Sequence, residues 1–502
     1  MAAEGMPDRI AVGSLEGGIT YAQLLDQARR TASYVRTASV GETPVGRLAM
    51  VDLNSDTLPV LLFGASFAGV PFVPMNYRLA DDKLRELVAR NAPALLVVDP
   101  PVAERIGDAH GLRVLTRSEF GDQLAELPAA QEPADDAAGD EDVEESIAVL
   151  LFTSGTTGAP KAAVLRNRHL ASYILSTAEF GAAGEHEATL VSVPPYHIAG
   201  VSAILSAVYS GRRLVYLPAF KAGEWVRTAR DERITHAMVV PTMLGRILDV
   251  LEADGTTLPA LTNLSCGGGP MPVAVIERAL RLLPHVDFVN AYGLTETSST
   301  ISLLTPEDHR AAISSDDPAV RARLRSVGRP LPGLELEIRD AAGEPVAVGE
   351  PGEVWVRGGQ VAGEYLGAGG GDQSDGWFPT RDSGYLDAEG YLFLSGRLDD
   401  VIVRGGENIS PGEIEEVLIA HPAVREVAVV GATDVRWGER VVAYVVPSSE
   451  VTEEQLQEHV RVRLRSTCTP EQVHFVDTLP YNETGKLLRR VLREKAQETA
   501  NV

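Results

Sequence analysis

Ile147-Ala-Val-Leu-Leu-Phe-Thr-Ser-Gly-Thr-Thr-Gly-Ala-Pro-Lys161 joins an apolar run to a glycine-rich turn. Residues 147–152 have the composition of a buried strand. The turn that follows carries Thr153, Ser154, Gly155, Thr156, Thr157 and Gly158, then Lys161. Glycine turns let backbone N–H groups converge on a phosphate, and hydroxyls add further donors. Lysine supplies a mobile point charge. The string is not a P-loop of the GxxxxGK[ST] kind, because Lys161 stands three residues after Gly158 instead of directly after a glycine. A polar hairpin loop is the bland alternative.

Working outward, apolar runs at 48–52, 94–98, 148–152, 214–217 and 237–240 read as further buried strands. Residues 21–37 and 272–283 show the spacing of amphipathic helices. Such alternation predicts an α/β architecture with largely parallel sheets. Residues 131–146 hold eight acidic residues and no basic one, which predicts a solvated loop. Residues 368–371 are a flexible glycine-rich run. After about residue 397 the texture changes. Helices are expected at 413–419, 452–464 and 487–495, with strands at 424–430 and 441–446, which describes a separate small α+β domain.

The chain has 502 residues, 44% apolar and 23% charged, enough for more than one domain with a sizeable core. Its net charge of −25 argues against nucleic acid or an anionic membrane surface as the main partner. It does not exclude small anions, which are met by local donors. The cysteines, Cys266 and Cys468, are far apart and suggest no disulfide framework or metal spacing. They read as small buried apolar residues in a reducing cytoplasm. The first residues lack a basic region followed by an apolar one, so no signal peptide is expected. No apolar run is long enough for a transmembrane helix.

Six further strings occur in order along the chain: Gly267-Gly-Gly-Pro-Met-Pro272, Asn290-Ala-Tyr-Gly-Leu-Thr-Glu296, Asp375-Gly-Trp-Phe-Pro-Thr-Arg-Asp382, Gly396-Arg-Leu-Asp-Asp400, Gly405-Gly-Glu-Asn-Ile-Ser-Pro411 and Asn482-Glu-Thr-Gly-Lys486. With the loop at 153–161 they resemble the ordered motifs of the adenylate-forming superfamily of acyl-CoA synthetases, adenylation domains and luciferases. The likeness is strongest to the acyl-CoA synthetases. It implies a large N-terminal α/β domain of several subdomains over 1–398 and a small mobile C-terminal α+β domain over 399–502, with Asp399 as the hinge.

The resemblance also implies chemistry. A carboxylate attacks the α-phosphate of ATP and pyrophosphate leaves. Two anions approach each other, so catalysis is mostly charge neutralisation and positioning. Lys486 would bridge the carboxylate and the α-phosphate. Thr295 would donate to that phosphate. Glu296, with Thr156, would hold Mg²⁺. Tyr292 would stack on adenine, within a nucleotide site that includes Gly268, Gly269, Pro270, Asn290, Ala291 and Gly293. Asp382 would accept from the ribose hydroxyls, and Arg397 would reach ribose or phosphate. His197, in Pro194-Pro-Tyr-His-Ile-Ala-Gly200, would lie near the acyl group, although a histidine there also reads as fixing its own loop. The acyl and CoA pocket would take in His197, Val240, Thr242, Gly267, Arg404, Gly405 and Gly406. The acyl-side segments offer no acidic partner for an amino group, so the expected substrate is a small carboxylic acid with an uncharged tail, such as a fatty acid.

Three departures from the family pattern stand out: Ala162 after the loop lysine, Arg381 where glycine is usual, and Ser466-Thr-Cys-Thr-Pro470. Arginine at 381 would be costly if the position needs a positive φ. The expectation is a cytoplasmic acid–CoA ligase using ATP, Mg²⁺ and coenzyme A, with a homodimer as the oligomer to test. The alternatives are a ligase that loads the phosphopantetheine of a carrier protein, and a luciferase-like or non-catalytic nucleotide-binding relative.

Overall fold

The structure, a computed structural model, describes residues 1–128, 140–153, 160–367, 374–481 and 487–500. Its contacts divide it into two compact units. The first is Met1–Arg310 with Pro330–Glu335 and Arg357–Phe378; the second is Ala311–Arg329, Leu336–Val356 and Pro379–Val502.

The first unit is mixed α/β and is built on two large sheets, beside a small two-stranded one at Ser39–Val40 and Thr43–Pro44. One has the strand order Lys161–Arg166, Ile147–Thr153, Phe72–Pro74, Leu48–Val51, Ala94–Val98, Leu112–Thr116. Its central pairs are parallel, and only the edge pair Lys161–Arg166 with Ile147–Thr153 is antiparallel. The runs Leu48–Val51 and Ala94–Val98 are buried at every position. That is why they read as unbroken apolar strings: helices cover both faces of a parallel sheet. The other sheet runs Asp287–Leu294, Asn263–Gly267, His236–Val239, Ala188–Val191, Arg213–Tyr216, Ile10–Ser14, all parallel neighbours. Antiparallel strands Ser299–Leu304 and Gly17–Thr20 flank it.

Helix Tyr21–Thr37 starts where Thr20 and Gln23 form a capping box, and it buries Tyr21, Leu24, Ala28, Thr31 and Val35 on one face. It packs on the apolar helix Thr57–Ala68, which Gly69 ends with a φ of 75°. The acidic stretch expected as a loop contains a helix, Asp140–Glu145; its residues 131–139 lie outside the described ones. Side chains that follow in sequence hold this helix: Asn167 donates to the Val143 carbonyl at 2.9 Å, and Arg168 pairs with Glu145 at 2.8 Å. Both cysteines are buried, as expected of apolar residues.

The second unit centres on the antiparallel pair Val424–Asp434 and Gly438–Pro447. Alternate residues serve opposite faces. Val429, Val441, Ala443 and Val445 pack with Ile414, Leu418, Leu456 and Val460 of helices Pro411–Ile419 and Glu453–Arg461. Ala428, Val430, Val442 and Tyr444 pack with Leu492 and Ala496 of helix Arg489–Ala500. Among the described residues no helix is long and apolar enough to cross a membrane.

Two local features make predictions. His169 is 1% exposed and accepts the Arg166 N–H at 3.3 Å. Burial first, then the charges of Arg168 and Arg166, push its pKa from 6.5 down to about 4. Burial and Arg212 do the same to His236, also to about 4. The unfolded chain therefore binds more protons below pH 6.5 than the fold does. Stability is complete above pH 6.5 and falls as pH drops toward 4, by up to about 1.4 kcal/mol per pH unit for each group. His169→Gln keeps an acceptor for the helix start and removes one titration. Its melting temperature should fall less steeply than that of the wild type between pH 7 and 5; parallel curves would refute the assignment.

Arg381 has a φ of 64°, so the position does need the left-handed conformation. Its N–H donates to Glu353 at 3.1 Å, and its exposed guanidinium stands 3.9 Å from Asp399. An exposed pair at that separation contributes little. Arg381→Gly should therefore stabilise the fold by up to about 1 kcal/mol. A lowered denaturation midpoint in urea would show that the side chain matters more than the backbone.

Candidate active site

Parallel strands of one sheet bring the segments at Val239, Gly267 and Asn290 to the same sheet end. Val239 pairs with Cys266, and Cys266 with Asn290, in adjacent strands. Gly267 stands beside Ala291. Val240, Gly268 and Tyr292 follow directly, at the carboxyl ends where open α/β sheets bind ligands. Glycine is required at Gly267, where a Cβ would meet the Ala291 carbonyl oxygen at 2.6 Å. Gly268 has a φ of 80° and borders the Val240 side chain. Gly268, Gly269 and Pro270 are exposed; Asn290 and Tyr292 are 5% and 9% exposed. Thr242 sits in the first turn of helix Pro241–Asp254, half-buried.

The phosphate-loop string is bounded by Thr153 and Lys161, which are paired across an antiparallel hairpin. Ser154, Gly155, Thr156, Thr157 and Gly158 lie outside the described residues, as does Lys486.

Thr295 and Glu296 sit in a 3₁₀ turn, Thr295–Thr297, both half-buried. Leaving it, Ser298 and Ser299 have positive φ values of 57° and 116°. Such strain persists only where surroundings fix it. Here the Thr297 hydroxyl donates to the Leu294 and Ser299 carbonyls, and Gln360 donates to the Thr297 and Thr300 carbonyls. The Glu296 carbonyl accepts from the Ala362 and Gly363 N–H groups at 2.9 and 3.2 Å. Its carboxylate accepts the Tyr365 hydroxyl at 2.6 Å, and Lys161 Nζ lies 5.6 Å from the centre of the same ring.

His197 caps helix Ile198–Ser210 and is half-buried. Its ring lies 4.8 Å from that of Tyr196, which makes an edge contact with Tyr77 at 5.7 Å. An aromatic wall thus lines the segment expected to face the acyl group.

In the second unit Asp382 and Arg397 are cross-strand partners joined at 3.1 Å, and Asp382 is 8% exposed. Arg397 also donates to the Thr380 carbonyl, while the Thr380 hydroxyl donates to that of Val354. Asp399 lies in the 3₁₀ turn Leu398–Asp400. Its carbonyl accepts from Arg493 at 2.8 Å, and Asp400 pairs with Arg493 at 3.0 Å and Arg489 at 3.5 Å. Arg404 and Glu407 pair across Gly405 and Gly406, whose φ values of 60° and 87° make a tight two-residue hairpin turn. Arg404 is fixed by Glu471 and the Thr467 carbonyl. The departing segment 466–470 thus supports this hairpin. Trp437, 42% exposed, lies between Arg404 and Arg436, and its carbonyl accepts the Gly405 N–H at 2.7 Å.

The sequence reading passed over Gln360, Tyr365 and Trp437. The only local sign of the first two was Gly358-Gly-Gln-Val-Ala-Gly-Glu-Tyr-Leu366, a polar and aromatic pair set among small residues. Among the described residues no group of three or more His, Cys, Asp or Glu is placed to hold a metal. One carboxylate, Glu296, does suit magnesium carried on nucleotide phosphates, which takes one or two carboxylates and keeps several waters.

Known proteins match this chain along nearly its whole length. The family described as AMP-binding enzyme matches residues 1–366, and its C-terminal domain matches residues 413–486. A 2-succinylbenzoate–CoA ligase of Bacillus licheniformis is 34% identical over 98% of each chain. A fatty acid–[acyl-carrier-protein] ligase of Streptomyces coeruleorubidus is 33% identical over 95% of this chain and 91% of its own. O-succinylbenzoate coenzyme A synthetase of Bacillus subtilis, solved with ATP and magnesium, superposes with a TM-score of 0.81 at 28% identity over 97% of each chain. The chain belongs to the AMP-binding enzyme family, the adenylate-forming fold expected from its motifs.

Proposed function

We propose that this protein is an ATP-dependent carboxylic acid–CoA ligase that works through an acyl-adenylate. The observation that carries this reading is the placement of Glu296 and Lys161 about one tyrosine, beside strand ends that carry the nucleotide motif.

In the first step a carboxylate oxygen bonds to the α-phosphorus of ATP, the bond to the β-phosphate oxygen breaks, and pyrophosphate leaves. Thr295 and Lys161 donate to phosphate oxygens, and Lys486 neutralises the approaching carboxylate. Glu296, with Thr156, would hold magnesium, which would supply neutralisation of phosphate charge. Tyr292 faces adenine; Asp382, aligned by Arg397, accepts from ribose. In the second step the thiol sulfur bonds to the acyl carbon, AMP leaves and the thiol proton is released. The Gly405–Gly406 hairpin faces the incoming thiol, and residues 399–502 pivot at Asp399 between the steps, since one pocket cannot serve both charge patterns.

The tail-side residues His197, Tyr196, Val240 and Thr242 include no carboxylate to pair with an amino group, which favours an acid without a cationic tail, fatty or aromatic. The Bacillus relatives, named for an aromatic acid, support testing aryl acids first. We place the enzyme in the cytoplasm. Carrier-protein loading is the second reading, favoured by the Streptomyces relative. The net charge of −25 would repel an acidic carrier.

The test is a panel of aryl and fatty acids with ATP, Mg²⁺ and either coenzyme A or a phosphopantetheinyl carrier protein, read by product mass. Acyl-CoA should dominate at equal acceptor concentration; preferential carrier loading would reverse the acceptor assignment. Two variants should split the half-reactions. Lys486→Ala should cut acid-dependent pyrophosphate exchange about 10²–10³-fold, the scale of one lost transition-state donor. It should still convert supplied acyl-adenylate to thioester. Gly406→Ala, strained at its positive φ, should do the opposite, with exchange near normal and thioester formation reduced at least about tenfold. Equal loss of both steps in either variant would refute its assigned role.

A further inference from the structure

Tyr365 touches both charged groups that the adenylation reading places on ATP, yet it belongs to none of the motifs that led to that reading. Its hydroxyl donates to Glu296 Oε1 at 2.6 Å. Its ring presents itself to Lys161 Nζ, 5.6 Å from the centroid. The backbone around it is braced at both ends. Tyr365 bridges Ala163 in antiparallel register, Val164 N–H donates to the Glu364 carbonyl at 2.9 Å, and Leu366 N–H donates to the Ala162 carbonyl at 2.9 Å. These bonds fix it to the strand that begins at Lys161. Upstream, Ala362 and Gly363 donate to the Glu296 carbonyl. One short segment therefore sets the distance between the loop lysine and the turn carboxylate. Neighbouring Glu364 is engaged elsewhere, in a bidentate pair with Arg166 at 2.9 Å.

The side-chain chemistry matches this placement. A carboxylate and an ammonium on neighbouring segments attract each other, and a direct pair would have to break before either met nucleotide. An aromatic face satisfies a cation without neutralising the carboxylate. A phenol donates one hydrogen bond to a carboxylate and leaves its other oxygen for a metal.

We propose that Tyr365 is a positioning residue: it orients the Glu296 carboxylate toward the metal of the metal–ATP complex and keeps Lys161 from pairing with it. This rests on the adenylation reading above. The expected consequence is selective. Loss of the hydroxyl should weaken the metal–nucleotide complex while leaving metal-free ATP nearly untouched.

The experiment uses the full chain and manganese(II), a hard oxygen-seeking stand-in for magnesium that can be followed by electron paramagnetic resonance. Binding of manganese–ATP and of metal-free ATP is measured for the wild type, Tyr365→Phe, Glu296→Gln and the double variant. Tyr365→Phe should weaken manganese–ATP about tenfold, the lower end of a hydrogen bond to a charged group. Metal-free ATP should bind as it does to the wild type. In the Glu296→Gln background, adding Tyr365→Phe should change nothing further, because the two act through one oxygen. Equal weakening of both forms of ATP, as misfolding would give, overturns the proposal. So do additive effects of the two substitutions, or unchanged manganese–ATP binding by Tyr365→Phe. A wild type that binds no manganese–ATP at all would instead overturn the adenylation reading itself.

Discussion

A Cβ on Gly293 would lie 1.8 Å from the Ser299 carbonyl oxygen. That absent atom lets strand Asp287–Leu294 meet Ser299–Leu304 through an irregular register at Tyr292 and Gly293. The chain between them must then reverse within a 3₁₀ turn and two positive-φ serines. Glu296 stands on this reversal. Three groups near it hold the turn: the Thr297 hydroxyl from inside, Gln360 from the side, and the Ala362–Gly363 amides on the Glu296 carbonyl. A carboxylate that must meet a metal in one orientation is better set on an over-determined turn than on a free loop.

The parallel strands were legible because burial on both faces writes unbroken apolar strings, as at Ala94–Val98. The small lobe was legible for the same reason. Its strands Val424–Asp434 and Gly438–Pro447 carry apolar residues on both faces, and helices cover each. Boundaries were less so. The helix read at 452–464 ends at Arg461, and the one read at 487–495 spans Arg489–Ala500. The helix Asp140–Glu145 was missed because its ties come from Asn167 and Arg168, beyond an intervening hairpin.

Candidate residues carried by motif strings could be named from sequence, but their contacts could not. Tyr365 lies 69 residues from Glu296, and its neighbours Gly363 and Leu366 give no periodic signal. Trp437 was invisible for the same reason: its tie to Gly405 crosses between two hairpins. Arg381 is the reverse case. The sequence flagged it as a departure and supplied the condition under which it would be strained, and the φ of 64° meets that condition.

Arg381 also shows how such strain can be tolerated. Its amide is not left unpaired, since Glu353 accepts it, and the next residue, Asp382, is fixed by both the Thr380 hydroxyl and Arg397. The left-handed residue therefore sits between anchored neighbours, where relaxing φ would pull Asp382 out of register with Arg397. A long charged side chain there points outward at 65% exposure instead of crowding the strand. Its backbone cost is local, while the position of the buried carboxylate beside it is set by contacts that do not involve the arginine side chain. Replacing glycine by arginine at this point thus changes how much the turn costs without changing where Asp382 stands.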